Sequence, residues 1–150
     1  MLSSDYKDIL SVFIEEGVEF LVVGAYALAA HGLPRATGDI GLWVNATSEN
    51  AQKVWRALKK FGAPLSQIDS SDFEEPGIVY QIGVPPDRID VLTSIDGVEF
   101  AGAWSRRYQV NIDELTVPII SREHLILNKK TAGRPQDLVD IAQLEAMDWS

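Results

Sequence analysis

The architecture of this chain is indicated most clearly by two adjoining segments, VVGAYALAAHG (residues 22–32) and PRATGDIGLWVN (residues 34–45). The first segment continues an uninterrupted apolar run at 20–23, which is typical of a buried strand. Gly24 ends that run, and residues 25–31 have the composition of a short helix. A glycine between a strand and a helix is a geometry by which several folds bring the backbone close to a phosphate group.

The second segment contains a turn-rich loop and then a strand predicted over residues 39–45. Side chains alternate between the two faces of a strand, so one face carries three apolar residues: Ile40, Leu42 and Val44. The opposite face carries Asp39, Gly41, Trp43 and Asn45. This second face is the one that presents a carboxylate at the start of the strand.

The remaining periodicities predict a helix, strand, helix, strand, helix order that leads into a hairpin and further helices. Helices are expected at 4–16, from Thr47 or Ser48 to Lys60, at 99–106, at 122–132 and from Pro135 to about Met147; Ser4 is the expected N-cap of the first. Strands are expected at 78–84 and 88–94, with one or two more within 108–120, and residues 63–77 are expected to form a loop. In the last helix we expect Leu138, Ile141 and Ala142 to point inward. The pattern indicates one α/β (α+β) domain over 1–150, with a mixed β-sheet flanked by helices and C-terminal helices.

Composition narrows the range of functions. The chain has 150 residues, 46% of them hydrophobic, a formal charge of −9 and no cysteine. Disulfides and cysteine-based zinc or redox sites are therefore excluded. Such an acidic domain is a poor general binder of nucleic acid, although a few local basic residues or metal ions could still hold a nucleotide or RNA. The N-terminus lacks the features of a signal peptide and the longest apolar run is too short to span a bilayer, so we expect a cytoplasmic protein without a membrane partner.

Two aspartates are the main candidates for chemistry. Asp39 begins one predicted strand and Asp90 lies on another. Phosphoryl-transfer sites use carboxylates from at least two elements to hold one or two magnesium ions, and an Asp-x-Asp pair works because residues two apart on a strand share a face. A further aspartate on a neighbouring strand can act as a general base toward the attacking hydroxyl. Either aspartate could instead be an ordinary strand or turn carboxylate.

Five segments together resemble the minimal nucleotidyltransferases of the DNA polymerase β-like superfamily. They are VVGAYALAAHG (22–32), PRATGDI (34–40), RIDVL (88–92), LILNK (125–129) and GRPQDLVD (133–140). By pattern they are most similar to the nucleotidyltransferase-like group related to abortive-infection toxins of toxin–antitoxin systems. The resemblance touches most of the chain, and its first segment is specific only as a combination.

The resemblance implies a role for each matching position. It implies that Asp39 and Asp90 are ligands of Mg²⁺ or Mn²⁺, that Asp39, Asp90 and Lys129 form the catalytic set, and that a nucleoside triphosphate is the substrate. The implied nucleotide-binding residues are Gly24, Ala25, Thr37, Arg134 and Asp137, and Arg35 in the loop is a further candidate for phosphate contact by its charge and location. Lys130 is the alternative to Lys129, because adjacent helical residues point about 100° apart and only one of them can face the site.

One position departs from the family pattern, in which Asp-x-Asp stands where this chain has Asp39-Ile40-Gly41. Glycine supplies no ligand, so we expect impaired transfer of a nucleoside monophosphate to an RNA, protein or small-molecule acceptor. The alternative is a catalytically inactive binding module that acts through a partner such as an antitoxin, or through self-association. A third alternative, an unrelated acidic interaction domain, predicts that Asp39 and Asp90 lie far apart.

Overall fold

The computed structural model describes residues 2–147 of the chain. Its helices are α1 (Ser4–Glu15), α2 (Ala25–Ala30), α3 (Ser48–Phe61), α4 (Phe100–Ser105), α5 (Arg122–Ala132) and α6 (Pro135–Ala146). Its strands are β1 (Phe20–Val23), β2 (Asp39–Val44), β3 (Val79–Ile82), β4 (Arg88–Leu92), β5 (Tyr108–Ile112) and β6 (Leu115–Ile119). The predicted order of elements and the α/β class are confirmed.

The six strands form one mixed sheet in the order β3-β4-β2-β1-β6-β5. Strand β2 lies in the middle, antiparallel to β1 and parallel to β4. The register places Asp39 beside Arg88 and Gly41 beside Asp90. Neighbouring residues in register project from the same face of a sheet, so the start of β2 and the start of β4 present their charged side chains together.

The core is formed by the apolar residues that the periodicity selects. Strand β1 is buried throughout, and the Ile40, Leu42 and Val44 face of β2 is buried as well. Trp43, on the opposite face, is also buried and packs edge-to-face on Phe100 with ring centroids 5.0 Å apart. The carboxylate face of β2 therefore becomes apolar toward its far end, which confines the polar site to the beginning of the strand.

Local signals fix several helix ends. Thr47 caps α3, Gly62 ends it in the left-handed conformation, and Gly133 does the same for α5. The N-cap of α1 is Ser3 and not Ser4, because the Ser3 hydroxyl accepts the Tyr6 N–H. Within the described residues, no helix is both long and apolar enough to cross a bilayer.

Three kinds of sequence expectation are wrong in detail. The hairpin strands β3 and β4 are shorter than the predicted 78–84 and 88–94, and the expected loop at 63–77 contains a 3₁₀ helix at Ser70–Glu74. In α6, Leu138 is 59% exposed and Ala142 is also exposed. Ile141 is buried as predicted, and the buried side of α6 also carries Asp137, Asp140 and Leu144. The rule that apolar residues mark the inner face fails here because ion pairs satisfy the two buried carboxylates.

Candidate active site

Asp39 and Asp90 converge on a single arginine. Nη2 of Arg88 lies 3.1 Å from Oδ2 of Asp39 and 3.2 Å from Oδ2 of Asp90, and its Nε lies 3.1 Å from Oδ1 of Asp90. The two carboxylates therefore approach the same nitrogen atom, and the prediction of a widely separated pair is wrong. The side chain of Asp90 is 12% exposed and that of Asp39 is 38% exposed, so the cluster opens to solvent on the Asp39 side.

Thr37 orients the more exposed carboxylate. Its hydroxyl donates to Oδ1 of Asp39 at 2.8 Å, while the other carboxylate oxygen accepts from Arg88. The bond is local, since the Asp39 N–H also lies 3.4 Å from the Thr37 hydroxyl oxygen, as in the turns that threonine side chains make with nearby backbone. Thr37 thus joins the site through Asp39, and its predicted contact with a nucleotide stays a prediction.

The two carboxyl groups have opposite pKa shifts. Burial raises the pKa of Asp90, and the neighbouring Asp39 carboxylate adds to the increase against the opposing hydrogen bond from Arg88. At Asp39, burial also acts to raise the pKa, but hydrogen bonds from Thr37, Asp90 and Arg88 outweigh it and lower the pKa overall. Asp39 is therefore the stronger acid of the pair, and Asp90 is the one that takes up a proton first.

Gly41 lies on the central strand β2, between Asp90 on β4 and Val23 on β1. A Cβ atom added at Gly41 would lie 3.0 Å from Cγ2 of Val23 and 3.5 Å from Cδ1 of Leu92. A side chain at this position would point from the same face as Asp39 and Asp90, and the valine would have to move by a few tenths of an ångström to admit it.

The donor set fits a divalent cation only in part. Asp39 and Asp90 are two carboxylates of the kind that Mg²⁺ takes together with substrate phosphates. Among residues 2–147, no group of three or more His, Cys, Asp and Glu side chains is arranged to hold a metal ion. Arg88 bonds to both carboxylates, so an ion bound by the pair would have to displace these contacts.

A second charged cluster joins the loop before β2 to the C-terminal helices. Nζ of Lys129 donates to Oδ2 of Asp140 at 2.9 Å and to Oδ1 of Asp137 at 3.3 Å. Nη1 of Arg35 donates to Oδ2 of Asp140 at 2.9 Å, and its Nη2 also contacts Asp140. Arg134 makes a fork-shaped contact with Asp137, with Nε at 2.7 Å and Nη2 at 3.1 Å. Lys129 points into this cluster, whereas Lys130 is exposed, and the predicted contact of Lys129 with a nucleotide stays a prediction.

Burial and charge distinguish the members of this cluster. Both aspartates are almost completely buried and the Lys129 side chain is 9% exposed, whereas the Arg134 side chain is 73% exposed. Hydrogen bonds from Arg35, opposed by burial and assisted by Lys129 and Gln136, hold the pKa of Asp140 far below its usual range. Three cations face two carboxylates, so the cluster keeps a net positive charge that an anion could use.

Two clefts adjoin the Arg35 side chain. A cleft of about 270 Å³ has Gly24, Ala25, Arg35, Lys129, Arg134 and Asp137 among its lining residues. A second cleft of about 300 Å³ is lined by Ala25, Tyr26, Ala29, Arg35, Ala36 and Thr37. Gly24 has φ = 75° and ψ = −149°, a conformation that glycine adopts without steric cost. The junction predicted to border a nucleotide thus lies between the basic cluster and the loop that carries Thr37.

All nine residues predicted from the sequence fall into these two adjoining groups. Asp39, Asp90 and Thr37 form the first group, and the other six line the 270 Å³ cleft. Two central residues, Arg88 and Asp140, were not assigned a role from the sequence. Only their spacing in the sequence could have indicated these two residues. Arg88 lies two residues before Asp90 on one strand face, and Asp140 lies three residues after Asp137 on one helix face.

Comparison with known proteins identifies the fold. No protein-family model matches the chain, and no curated protein matches it significantly. Among solved structures, it is similar to a candidate nucleotidyltransferase from Thermotoga maritima, with a TM-score of 0.64 and 14% identity over 98% of this chain and 96% of that chain. It is similar to the lincosamide adenylyltransferase LnuA in its lincomycin-bound form, with a TM-score of 0.58 and 17% identity over 97% of both chains.

A further similar structure is ANT(2")-Ia in complex with adenylyl-2"-tobramycin, with a TM-score of 0.61 and 15% identity over 97% of this chain and 87% of that chain. These identities are low, while the coverage extends over nearly the whole of the chain. The shared feature is therefore the overall arrangement of the mixed sheet and its helices. The chain has the nucleotidyltransferase fold.

Proposed function

We propose that this chain binds a nucleoside triphosphate at the Asp39–Asp90 pair and the adjoining basic cleft, and that Gly41 impairs nucleotidyl transfer. The observation that carries the proposal is the convergence of Asp39 and Asp90 on Nη2 of Arg88, with Gly41 directly beside Asp90 in the sheet. A fold shared with nucleotidyltransferases supports the same assignment.

The basic cleft supplies the groups that would hold the phosphates. Arg134 is mostly exposed and can turn toward an anion, whereas Lys129 is held in place by two buried aspartates. In this proposal Arg134 and Arg35 contact the phosphates directly, and Lys129 contributes its charge from the floor of the cleft. Gly24 and Ala25 border the triphosphate because they line the same cleft.

The reaction itself needs a base and a leaving group. In the proposed transfer, an acceptor oxygen forms a bond to the α-phosphorus while the bond from that phosphorus to the β-phosphate bridge breaks and releases pyrophosphate. Asp90 is placed to accept the proton from the acceptor hydroxyl. Mg²⁺ or Mn²⁺ held by Asp39 and Asp90 would supply charge neutralisation of the triphosphate. The acceptor is RNA, a protein or a small molecule.

The missing carboxylate also supports a second candidate function. A site with Gly41 in place of a ligand is suited to binding a nucleotide without turning it over. In that case the chain works as a binding module, through a partner such as an antitoxin or through a second copy of itself. The two candidates differ in one measurable property, which is transfer activity.

The test compares the wild-type protein with Gly41→Asp and Gly41→Asn. Each protein is incubated with Mg²⁺ or Mn²⁺, each α-labelled nucleoside triphosphate, and cellular RNA, protein and small-molecule fractions. Asparagine has nearly the same size as aspartate without its charge, so it separates the carboxylate from the steric effect on Val23. We expect labelled product from Gly41→Asp at least about 100-fold above both other proteins, in line with the loss of a group that stabilises developing charge.

The other outcomes decide between the candidates. Equal transfer by all three proteins would show that the two aspartates suffice and that Gly41 impairs nothing. Transfer by none of them, with triphosphate binding retained in a direct binding assay, would favour the binding module. Transfer by none, without triphosphate binding, would refute both candidate functions.

A further inference from the structure

Arg88 is the positively charged partner of both carboxylates, Asp39 and Asp90. Its guanidinium makes two hydrogen bonds to Asp90 and one to Asp39, all within 3.2 Å. An arginine cannot lose its proton in a protein, so this positive charge is permanent. The pair of carboxylates is thereby partly neutralised by a residue of the chain itself.

The position of Arg88 is fixed by its backbone. Its N–H donates to the carbonyl of Gly38 at 3.1 Å, and its own carbonyl accepts the Tyr6 hydroxyl at 3.0 Å. It begins β4 directly beside Asp39, two residues before Asp90. These contacts do not involve the guanidinium, so the strand start can stay in place when the side chain moves or is replaced.

A divalent cation and the guanidinium need the same oxygen atoms. A metal ion held between Asp39 and Asp90 must approach their oxygens more closely than Arg88 does, and the two cations would repel each other at that distance. The Arg88 side chain is one-third exposed and long enough to swing toward solvent. A bound triphosphate offers the displaced guanidinium a new anionic partner with matching geometry.

We propose that Arg88 is a tethered cation that keeps a divalent metal ion off Asp39 and Asp90 until a nucleotide arrives. The arginine then moves from the carboxylates to the triphosphate, and the metal ion enters together with the phosphates. The inference rests on the proposed function, because it takes Asp39 and Asp90 to be the metal ligands. It adds an order of binding: the metal ion alone binds weakly, and the triphosphate makes its binding strong.

The experiment measures Mn²⁺ binding by the electron paramagnetic resonance signal of free Mn²⁺, which requires no catalytic activity. The proteins are the wild type, Arg88→Gln, Arg88→Lys and Arg106→Gln. Arg106 is an exposed residue paired with Glu123, so its substitution removes one positive charge and serves as the matched control. Each protein is titrated with Mn²⁺ alone and again with a non-hydrolysable nucleoside triphosphate, and circular dichroism verifies folding.

We expect Arg88→Gln to bind Mn²⁺ alone about tenfold more tightly than the wild type, since a charge-assisted contact with the carboxylates is lost. Arg106→Gln should stay close to the wild type. The Mn²⁺ affinity of Arg88→Lys should lie between those of the wild type and Arg88→Gln, because an ammonium group cannot bond to both carboxylates with the fork geometry of a guanidinium. Adding Asp90→Asn to Arg88→Gln should abolish the gain, which places the ion at this pair.

Equal Mn²⁺ affinity of Arg88→Gln, Arg88→Lys and the wild type would overturn the inference. An equal increase in Arg88→Gln and Arg106→Gln would also overturn it, since bulk charge would then be the cause. Binding of the triphosphate to the wild type is measured separately by equilibrium dialysis of a labelled nucleotide, because free triphosphate also binds Mn²⁺, and a protein-free titration corrects the Mn²⁺ data for this. Its absence would count against the proposed function, whereas its presence without any effect of Arg88 would count against this inference alone.

Discussion

Replacing Asp140 with asparagine should be among the most damaging single changes at the candidate site. The Asp140 side chain is completely buried and accepts hydrogen bonds from Arg35, Lys129 and Gln136. Asparagine keeps the size but removes the charge, and its amide group presents donors to side chains that are themselves donors. Lys129 then stays buried with Asp137 as its one remaining carboxylate.

The expected cost follows from the burial of both partners. Removing one member of a buried ion pair costs about 3–5 kcal/mol, and the contact that Lys129 keeps with Asp137 favours the lower end, about 3 kcal/mol. For a chain of this length, that loss lowers the melting temperature by roughly 10 °C. The loop that carries Arg35 and Thr37 should also loosen, because its tie to α6 is gone.

Urea denaturation followed by far-ultraviolet circular dichroism at pH 7 measures this cost. Glu123→Gln is the matched control, since its exposed pair with Arg106 should contribute at most about 1 kcal/mol.

The dependence of stability on pH provides a second check. The folded-state pKa of Asp140 lies below its unfolded value of 3.8, so its stabilisation is present above that value and is lost as the pH falls below it. The variant should therefore lose less stability on acidification. A cost of Asp140→Asn equal to that of the control, with unchanged acid sensitivity, would refute the reasoning.

Two further predictions concern the surroundings of the site. Tyr6→Phe should cost about 1 kcal/mol at pH 7, because the Tyr6 hydroxyl donates to the carbonyls of Pro86 and Arg88. Burial, assisted by nearby acidic groups, raises the pKa of Tyr6 to about 12 from 10.0. In urea titrations at each pH, the wild type should therefore lose stability between pH 10 and 12 more steeply than the variant. Parallel curves of stability against pH would contradict this. Gly24→Ala should cost about 1–3 kcal/mol in thermal melts because of the positive φ angle at Gly24, although a Cβ atom there meets nothing within 4 Å. Gly102→Ala in α4 is its control and should be neutral or slightly stabilising; an equal effect of both substitutions would show that the conformation at Gly24 is unstrained for alanine.

The sequence predicted those parts of the fold that depend on local patterns. The apolar run of β1, the alternation in β2 and the glycine and proline around residue 133 all specify their elements without reference to distant residues. The two-residue period of strands placed Asp39 on the face of β2 opposite Ile40, Leu42 and Val44. These inferences need only short-range geometry, which the sequence contains.

Contacts between side chains of different elements were harder to predict from the sequence. The bond of Arg88 to Asp39 depends on the parallel register of β2 and β4, which no local pattern reveals. The buried role of Asp140 was missed because a periodicity rule counts aspartate as a surface residue. The same rule wrongly predicted that Leu138 points inward. Leu138 is exposed because the side of α6 that faces Lys129 and Arg35 is occupied by charged residues.

The central claim is that the Asp39–Asp90 pair and the basic cleft bind one triphosphate with its metal ion. A crystal structure of the wild-type protein soaked with Mn²⁺ and a non-hydrolysable nucleoside triphosphate would test it most directly, since manganese is identified by its anomalous scattering. The account predicts an anomalous peak between Asp39 and Asp90, with the phosphates extending toward Arg134 and Arg88 turned away from the carboxylates. A triphosphate bound elsewhere, with Arg88 still bonded to both aspartates, would contradict it.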